Sequence, residues 1–271
     1  MLAVFTSFKP FTGAAADIQM RSLENWRAVF PDTEIVNFET ATDESLPSDL
    51  RTVIVDEGKG KVPLFGSMVR WMEANTEANL FLYANGDILF PENLKTYLTL
   101  LPETPFLLTG QRVDIMKDQS QKLHGPAGMD YFFFARNVFS ELPDVVMGRG
   151  YCDSALVAHC LRQEISVINA TEAIVVLHQW HDYTHAKGGK LSVYEGIAAL
   201  ENMRNNGLRH FAPHVCDSTH KIKVIDGTWR VLSQKRSILR KLEWWGFYQK
   251  RWKWWPNFNQ IWNIVHRGGK W

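Results

Sequence analysis

Residues 79–87 read NLFLYANGD, and the fold follows from how this stretch divides. Leu80 to Ala84 form an unbroken apolar run that is short for a helix and lacks the alternation of a half-exposed strand. That is the pattern of a strand buried on both faces. Asn85, Gly86 and Asp87 then end it with turn-forming residues. Polar chemistry is expected to begin where this strand stops.

The same alternation extends towards the N-terminus. LAVFTSF at 2–8 reads as a strand closed by Lys9-Pro10, and Asp17 precedes a helical pattern through Met20, Leu23, Trp26 and Ala28. EIVNFE at 34–39 and TVIVDE at 52–57 are short, buried-looking strands ending in carboxylates. Pro63 stands where a first helical turn is expected, followed by Leu64, Phe65, Met68, Val69 and Met72 at helical spacing. Strands alternating with helices predict a parallel sheet. Beyond Pro105 the texture changes. FLLTGQRVDI and MDYFFFAR predict longer strands joined by loops, Asp153 is placed to start a helix through Leu161, and SVINA supplies another strand. The expected class is α/β, a Rossmann-type mixed sheet flanked by helices.

A chain of 271 residues is near the upper limit for one hydrophobic core, so one domain with a short appendage is expected. No apolar run reaches the roughly 18 residues of a membrane-spanning helix, and no secretory pattern opens the chain. Cytoplasmic residence follows as an expectation. Three cysteines, Cys152, Cys160 and Cys216, give neither a disulfide framework nor a zinc ribbon, and read as reduced thiols.

The formal charge of +1 conceals an asymmetry. Residues 235–271 hold nine Lys and Arg against Glu243 alone, a net of +8, which leaves −7 on residues 1–234. Seven of the eleven tryptophans also lie in this arm. Ile238, Leu242, Trp245, Tyr248, Trp252 and Trp255 make a helical stripe. Tryptophan with basic residues suits an anionic membrane surface, here at the inner face of the cell membrane. Packing on the domain or in a homo-oligomer fits the same stripe. Nucleic acid fits poorly, because the acidic body repels phosphate.

In open α/β sheets ligands bind beyond the carboxyl ends of the strands. Thr6, Ser7, Glu39, Asp56, Asn85 and Asp87 fall at such ends. Each is equally at home as a turn or capping residue. Three ordered blocks add to the NGD triplet: MDYFFFARNVF at 129–139, GRGYCDSAL at 148–156 and NATEAIVVLHQWHDYTH at 169–185. Together they resemble GT-A fold glycosyltransferases of the nucleotide-diphospho-sugar transferase superfamily. The resemblance implies a nucleotide-sugar donor, a divalent cation (Mn2+ or Mg2+), and transfer of the sugar to a hydroxyl on a glycan or lipid-linked acceptor. Asp87 is then the first-choice cation ligand. Asn85 stands where the commoner pattern has another acid, and is read as a donor contact with Gly86 beside it. Among His178, His181 and His185, the resemblance favours His181 as the further ligand, with a structural role left open for the others.

Asp153 occupies the position where inverting members of that group carry a general base, and it also reads as a helix cap. Arg112 is a candidate phosphate clamp on the donor side, joined by Thr6, Ser7, Glu39, Asp56 and Pro63. Asp130 and Arg149 are candidates for a sugar or acceptor, and Lys9 and Lys61 for phosphate. The chain has no G-x-G-x-x-G or Walker loop, which argues against NAD enzymes and P-loop kinases. Two alternatives share the layout: a sugar-1-phosphate nucleotidylyltransferase and a non-catalytic sugar-binding module at a membrane.

Overall fold

A computed structural model describes residues 1–58, 61–92, 94, 98, 101, 104–181, 189–209, 211–226, 228–235, 238 and 240. Its centre is the apolar run of the opening stretch, strand β6 (Leu80–Ala84). On one side β6 pairs in parallel with β1 (Leu2–Thr6), which pairs in parallel with β2 (Ile35–Glu39), and that strand with β3 (Arg51–Ile54). On the other side lies β11 (Tyr131–Ala135), antiparallel to β6 and to β8 (Phe106–Thr109). The sheet continues in parallel through β12 (Ser166–Asn169) to β14 (His220–Ile225), and ends on antiparallel β15 (Thr228–Ser233). Among the described residues this makes nine strands in the order β15-β14-β12-β8-β11-β6-β1-β2-β3.

Strand β11 shows why an unbroken apolar run was required. Phe132 and Phe134 enter one core with Phe5, Phe38, Phe65 and Phe81, while Tyr131 and Phe133 enter the opposite core with Val4, Leu82 and Trp26. Successive side chains point to opposite faces, and both faces are covered. Helices α2 (Phe65–Asn75) and α3 (Cys152–Arg162) cover the first; α1 (Gly13–Val29) covers the second. The first core is knit by ring contacts, with Phe134 against Phe139 at 4.8 Å and Phe65 against Phe139 at 5.3 Å.

A second, four-stranded sheet in the order β10-β9-β13-β7 stands beside the first. It joins β7 (Ile88–Leu89), β9 (Val113–Ile115), β10 (Gln121–Leu123) and β13 (Leu177–His178). A small ladder joins β4 (Glu57–Gly58) to β5 (Val62–Pro63). Helices α4 (Gly189–Glu195) and α5 (Ile197–Asn205) follow the second sheet in the chain.

Several local expectations are corrected. Helix α1 begins at Gly13, four residues before Asp17, because Gly13 takes a left-handed φ of 55° that turns the chain into the helix. Pro63 lies in β5 and α2 starts at Phe65, since Pro63 pairs with Glu57 across the ladder. Strand β3 is an exposed edge, with Ile54 half exposed, so an apolar run there did not signify burial. The strands after Pro105 are short, with four residues in β8 and five in β11. Tyr151, at φ 68°, stands at the N-cap position of α3 without a side-chain cap, and Asp153 sits inside the first turn.

Cys152, Cys160 and Cys216 are free thiols, as expected. Among the described residues no helix is long and apolar enough to cross a membrane. Of the basic arm, only Lys235, Ile238 and Arg240 are described; Arg240 donates to both carboxylate oxygens of buried Asp217 and lies over the Phe211 ring. The proposed stripe otherwise falls outside the described residues, as does His185.

Two stability predictions follow from this packing. Phe134→Ala should lower the free energy of unfolding by about 3–5 kcal/mol, read as a shifted urea midpoint at constant slope; a loss below about 1 kcal/mol would contradict the packing described. Glu39, at the end of β2, is raised from 4.5 to about 7, chiefly by burial, with the Asn37 amide opposing and Asp43 assisting. The folded state therefore binds the extra proton between those values, and stability falls as pH rises through that window. Urea midpoints from pH 4.5 to 7 should fall in the native protein relative to Glu39→Gln; the reverse trend would exclude a raised Glu39.

Candidate active site

Strands β1, β2 and β6 run in parallel, so their carboxyl ends open on one side of the sheet. The loops leaving them form a cleft of about 1650 Å3. Its floor is fixed by side chains that serve the backbone. Thr6 Oγ1 donates to the Ala84 carbonyl at 2.7 Å, joining the ends of β1 and β6. Asn37 accepts from the Phe8 amide at 2.9 Å, and buried Gln19 on α1 both accepts from and donates to the Lys9 backbone.

Asp87 lies at the centre of this floor. After β6 the chain turns through Asn85 and Gly86 into β7, and Ile88 donates to the Asn85 carbonyl at 3.2 Å. A Cβ on Gly86 would lie 2.5 Å from the Phe8 ring, which stacks on Trp26 at 5.6 Å. Only glycine permits that approach. The pairing of β7 with β13 then sets His178 opposite Ile88, and Gln179 donates its amide to the Asp87 carbonyl at 3.0 Å. Gln179 also donates to the Ile18 carbonyl and Ser22 on α1, which locks this loop beneath His181.

The Asp87 carboxylate is buried, and Oδ2 lies 3.1 Å from His181 Nε2, 3.7 Å from His178 Nε2 and 3.8 Å from Lys9 Nζ. Burial alone would raise its pKa. The His181 hydrogen bond and the charges of His178 and Lys9 outweigh it, holding the carboxyl well below the usual carboxylate range. The other oxygen, Oδ1, is buried with no hydrogen-bond partner. Asp87, His178 and His181 each offer a ligand atom, all within 4.8 Å of one another. A carboxylate whose Oδ2 meets two imidazoles, and whose Oδ1 has no hydrogen-bond partner, fits a divalent cation, since a buried acceptor left unmatched is costly.

From His178 a polar chain crosses the cleft. His178 Nδ1 lies 3.2 Å from Asp114 Oδ1; Arg112 donates to Asp114 at 2.8 Å and to Asp130 at 2.7 Å. Asp130 then accepts from the Asn85 side chain at 2.6 Å. Burial would lower Arg112, but the two carboxylates raise it well above its ordinary value. Asp153 lies beyond, partly open to the cleft, with the Cys152 thiol donating to it at 3.2 Å. Burial, then the neighbouring charge of Asp130, pushes the Asp153 carboxyl well above the usual range, against the Cys152 hydrogen bond and Arg112.

The cleft gathers Ser7, Glu39, Pro63, Asn85, Gly86 and Asp87 with Arg112, Asp130, Arg149, Asp153 and His181, and Lys9 and Lys61 also line it. Two expected donor contacts are not among its lining residues. Thr6 is fully buried and committed to the Ala84 carbonyl. Asp56 follows the edge strand and accepts from Ser67 on α2 at 3.2 Å. Asn85 lines the cleft, but its amide is held between Tyr83 and Asp130, so its first task is to orient Asp130. His178 joins His181 at Asp87, where the sequence favoured His181 alone. Asp114 and Gln179 went unremarked in the sequence. Their importance arises from the pairing of β9 with β13 and the packing of that loop on α1, which no local pattern reveals.

No protein-family model and no curated protein matches the sequence. Solved structures do. GalNAc-T7, solved with UDP, GalNAc and Mn2+, superposes at a TM-score of 0.50 with 11% identity, over 74% of this chain and 47% of that one. The catalytic domain of a Drosophila β1,4-galactosyltransferase 7 with xylobiose gives 0.47 and 11%, over 86% and 92%. A mannosyltransferase from Pyrobaculum calidifontis with GDP-Man and Mn2+ gives 0.44 and 14%, over 66% and 56%. This chain thus spans about half the length of the first and third. The mixed sheet, its central antiparallel strand and the cleft at the parallel strand ends give this chain a GT-A-like fold.

Proposed function

We propose that this protein transfers a sugar from a nucleotide-diphosphate donor to an acceptor hydroxyl, with inversion at the transferred carbon. The observation that carries this reading is that one cleft holds both an acid primed for a cation and an acid primed for a proton. Asp87 is held well below the usual carboxylate range beside two histidines and Lys9, whereas burial and the charge of Asp130 raise Asp153 well above it and make its carboxylate the stronger base. Two carboxylates whose environments drive their pKa values apart are the mark of divided roles.

Asp87, His178 and His181 would hold the cation, and the mixed imidazole and carboxylate set suits Mn2+ better than the oxygen-loving Mg2+. Such a cation neutralises the charge that gathers on the diphosphate as the sugar departs. Lys9, which shares the cleft and lies 3.8 Å from Asp87, adds a second positive group for the same diphosphate. Glu39, Ser7 and Pro63 line the side of the cleft formed by β1 and β2, where the nucleoside would lie, and Arg112 steadies the side chains between donor and acceptor. Asp153 takes the proton of the acceptor hydroxyl as that oxygen bonds to the sugar and the bond to the diphosphate breaks. Asp130 and Arg149 share its part of the cleft and can bind sugar hydroxyls or an acceptor anion.

The composition of residues 235–271 supports a peripheral contact with an anionic membrane surface, and with it a lipid-linked acceptor in glycan or polysaccharide synthesis. Deleting 241–271 should then abolish sedimentation with anionic liposomes, and sedimentation that survives deletion would exclude this role.

A screen of UDP, GDP and TDP sugars with Mn2+ should reveal slow hydrolysis of at least one donor by the native protein. Failure to hydrolyse or transfer from any donor would favour a non-catalytic module, and pyrophosphorolysis of a nucleotide sugar would favour a nucleotidylyltransferase. Asp153→Asn should lower kcat about 10²–10⁴-fold while leaving the affinity for Mn2+ and nucleotide diphosphate unchanged; near-native turnover would remove Asp153 as the base.

A further inference from the structure

Asp114 lies outside the ligand set, yet its position is defined more tightly than a surface ion pair requires. It sits on β9, whose parallel pairing with β13 makes Asp114 and His178 register partners. The two side chains meet at 3.2 Å, Asp114 Oδ1 to His178 Nδ1, while Oδ2 is held by His124 Nδ1 at 2.6 Å and Oδ1 also accepts from Arg112 Nε at 2.8 Å. Three contacts from three directions prevent the carboxylate from rotating away.

We infer that Asp114 is a positioning residue for the cation site: it accepts the Nδ1 proton of His178 and so turns the Nε2 lone pair towards Asp87. The inference rests on the proposed cation site. An ionised carboxylate can only accept, so a neutral His178 keeps its one proton on Nδ1. Its Nε2 lone pair then faces Asp87 Oδ2 at 3.7 Å. Two electron-rich atoms at that separation are stabilised by a positive charge shared between them. A carboxylate behind a ligating histidine fixes both tautomer and ring plane, and losing such a group typically weakens metal affinity 10–100-fold.

A purely structural role predicts something different. If Asp114 mattered only as the partner of Arg112, then breaking that ion pair from either side would have the same effect. Arg112→Gln removes the ion pair but leaves the contact between Asp114 and His178.

The test is Mn2+ binding to the full chain without donor, followed by the electron paramagnetic resonance of free Mn2+. Asp114→Asn should weaken binding 10–100-fold, and Arg112→Gln, which keeps the contact between Asp114 and His178, should weaken it markedly less. Native affinity in Asp114→Asn, or equal weakening in both variants, would overturn the inference. Mn2+ binding that is absent from the native protein, or unchanged in Asp87→Asn, would instead overturn the cation reading itself, and the positioning role with it. A second readout needs no variant to fold: long-range nitrogen–proton NMR of the metal-free native protein at about pH 8 should show His178 protonated at Nδ1. Protonation at Nε2 would contradict the assignment.

Discussion

A carboxylate buried with one oxygen unmatched is the condition around which this cleft is organised. Asp87 is at once nearly inaccessible and held ionised, and it keeps that state because His181, His178 and Lys9 converge on its other oxygen. Each of those groups arrives by a different route. Lys9 comes from the loop after β1, pinned by Gln19; His178 comes from the register of β13 against β7; His181 comes from the loop that Gln179 fastens to α1. The aromatic packing beneath has the same purpose, because the Phe8 ring can lie under the turn only while residue 86 has no side chain.

The electrostatics of the cleft are graded. Asp87 and Asp114 lie close to imidazoles and are held strongly ionised, whereas Asp153 has a thiol for its nearest partner and a like charge, Asp130, nearby. Arg112 stands between these two halves and pairs with Asp114 on one side and Asp130 on the other. Through it the cation side and the proton-accepting side of the cleft share one set of hydrogen bonds. A change of partner at Arg112 would therefore be felt at both ends.

Much of this was legible in the sequence, for identifiable reasons. Strands β1, β2, β6 and β11 are buried on both faces, so their apolar runs are continuous, and the polar residues that end them mark the rim of the sheet. Asp87 was singled out in this way, whereas Asp153, in the first turn of α3, was singled out only through the resemblance of its block. What failed were inferences that needed a neighbour. Asp56 ends an apolar run as Glu39 does, but β3 is the sheet edge, and its end braces α2 instead of facing the cleft. Thr6 is spent on the Ala84 carbonyl. Asp114 looks like one charge among many until β9 is set beside β13.

Crystals grown with Mn2+ and a nucleoside diphosphate, examined by anomalous diffraction at the manganese edge, test the central claim most directly. The account predicts one anomalous peak bounded by the Asp87 carboxylate, through Oδ2, and the imidazoles of His178 and His181, with the diphosphate on the side of Lys9. Nucleotide density in the cleft with manganese elsewhere, or with Asp87 turned away from it, would contradict the account.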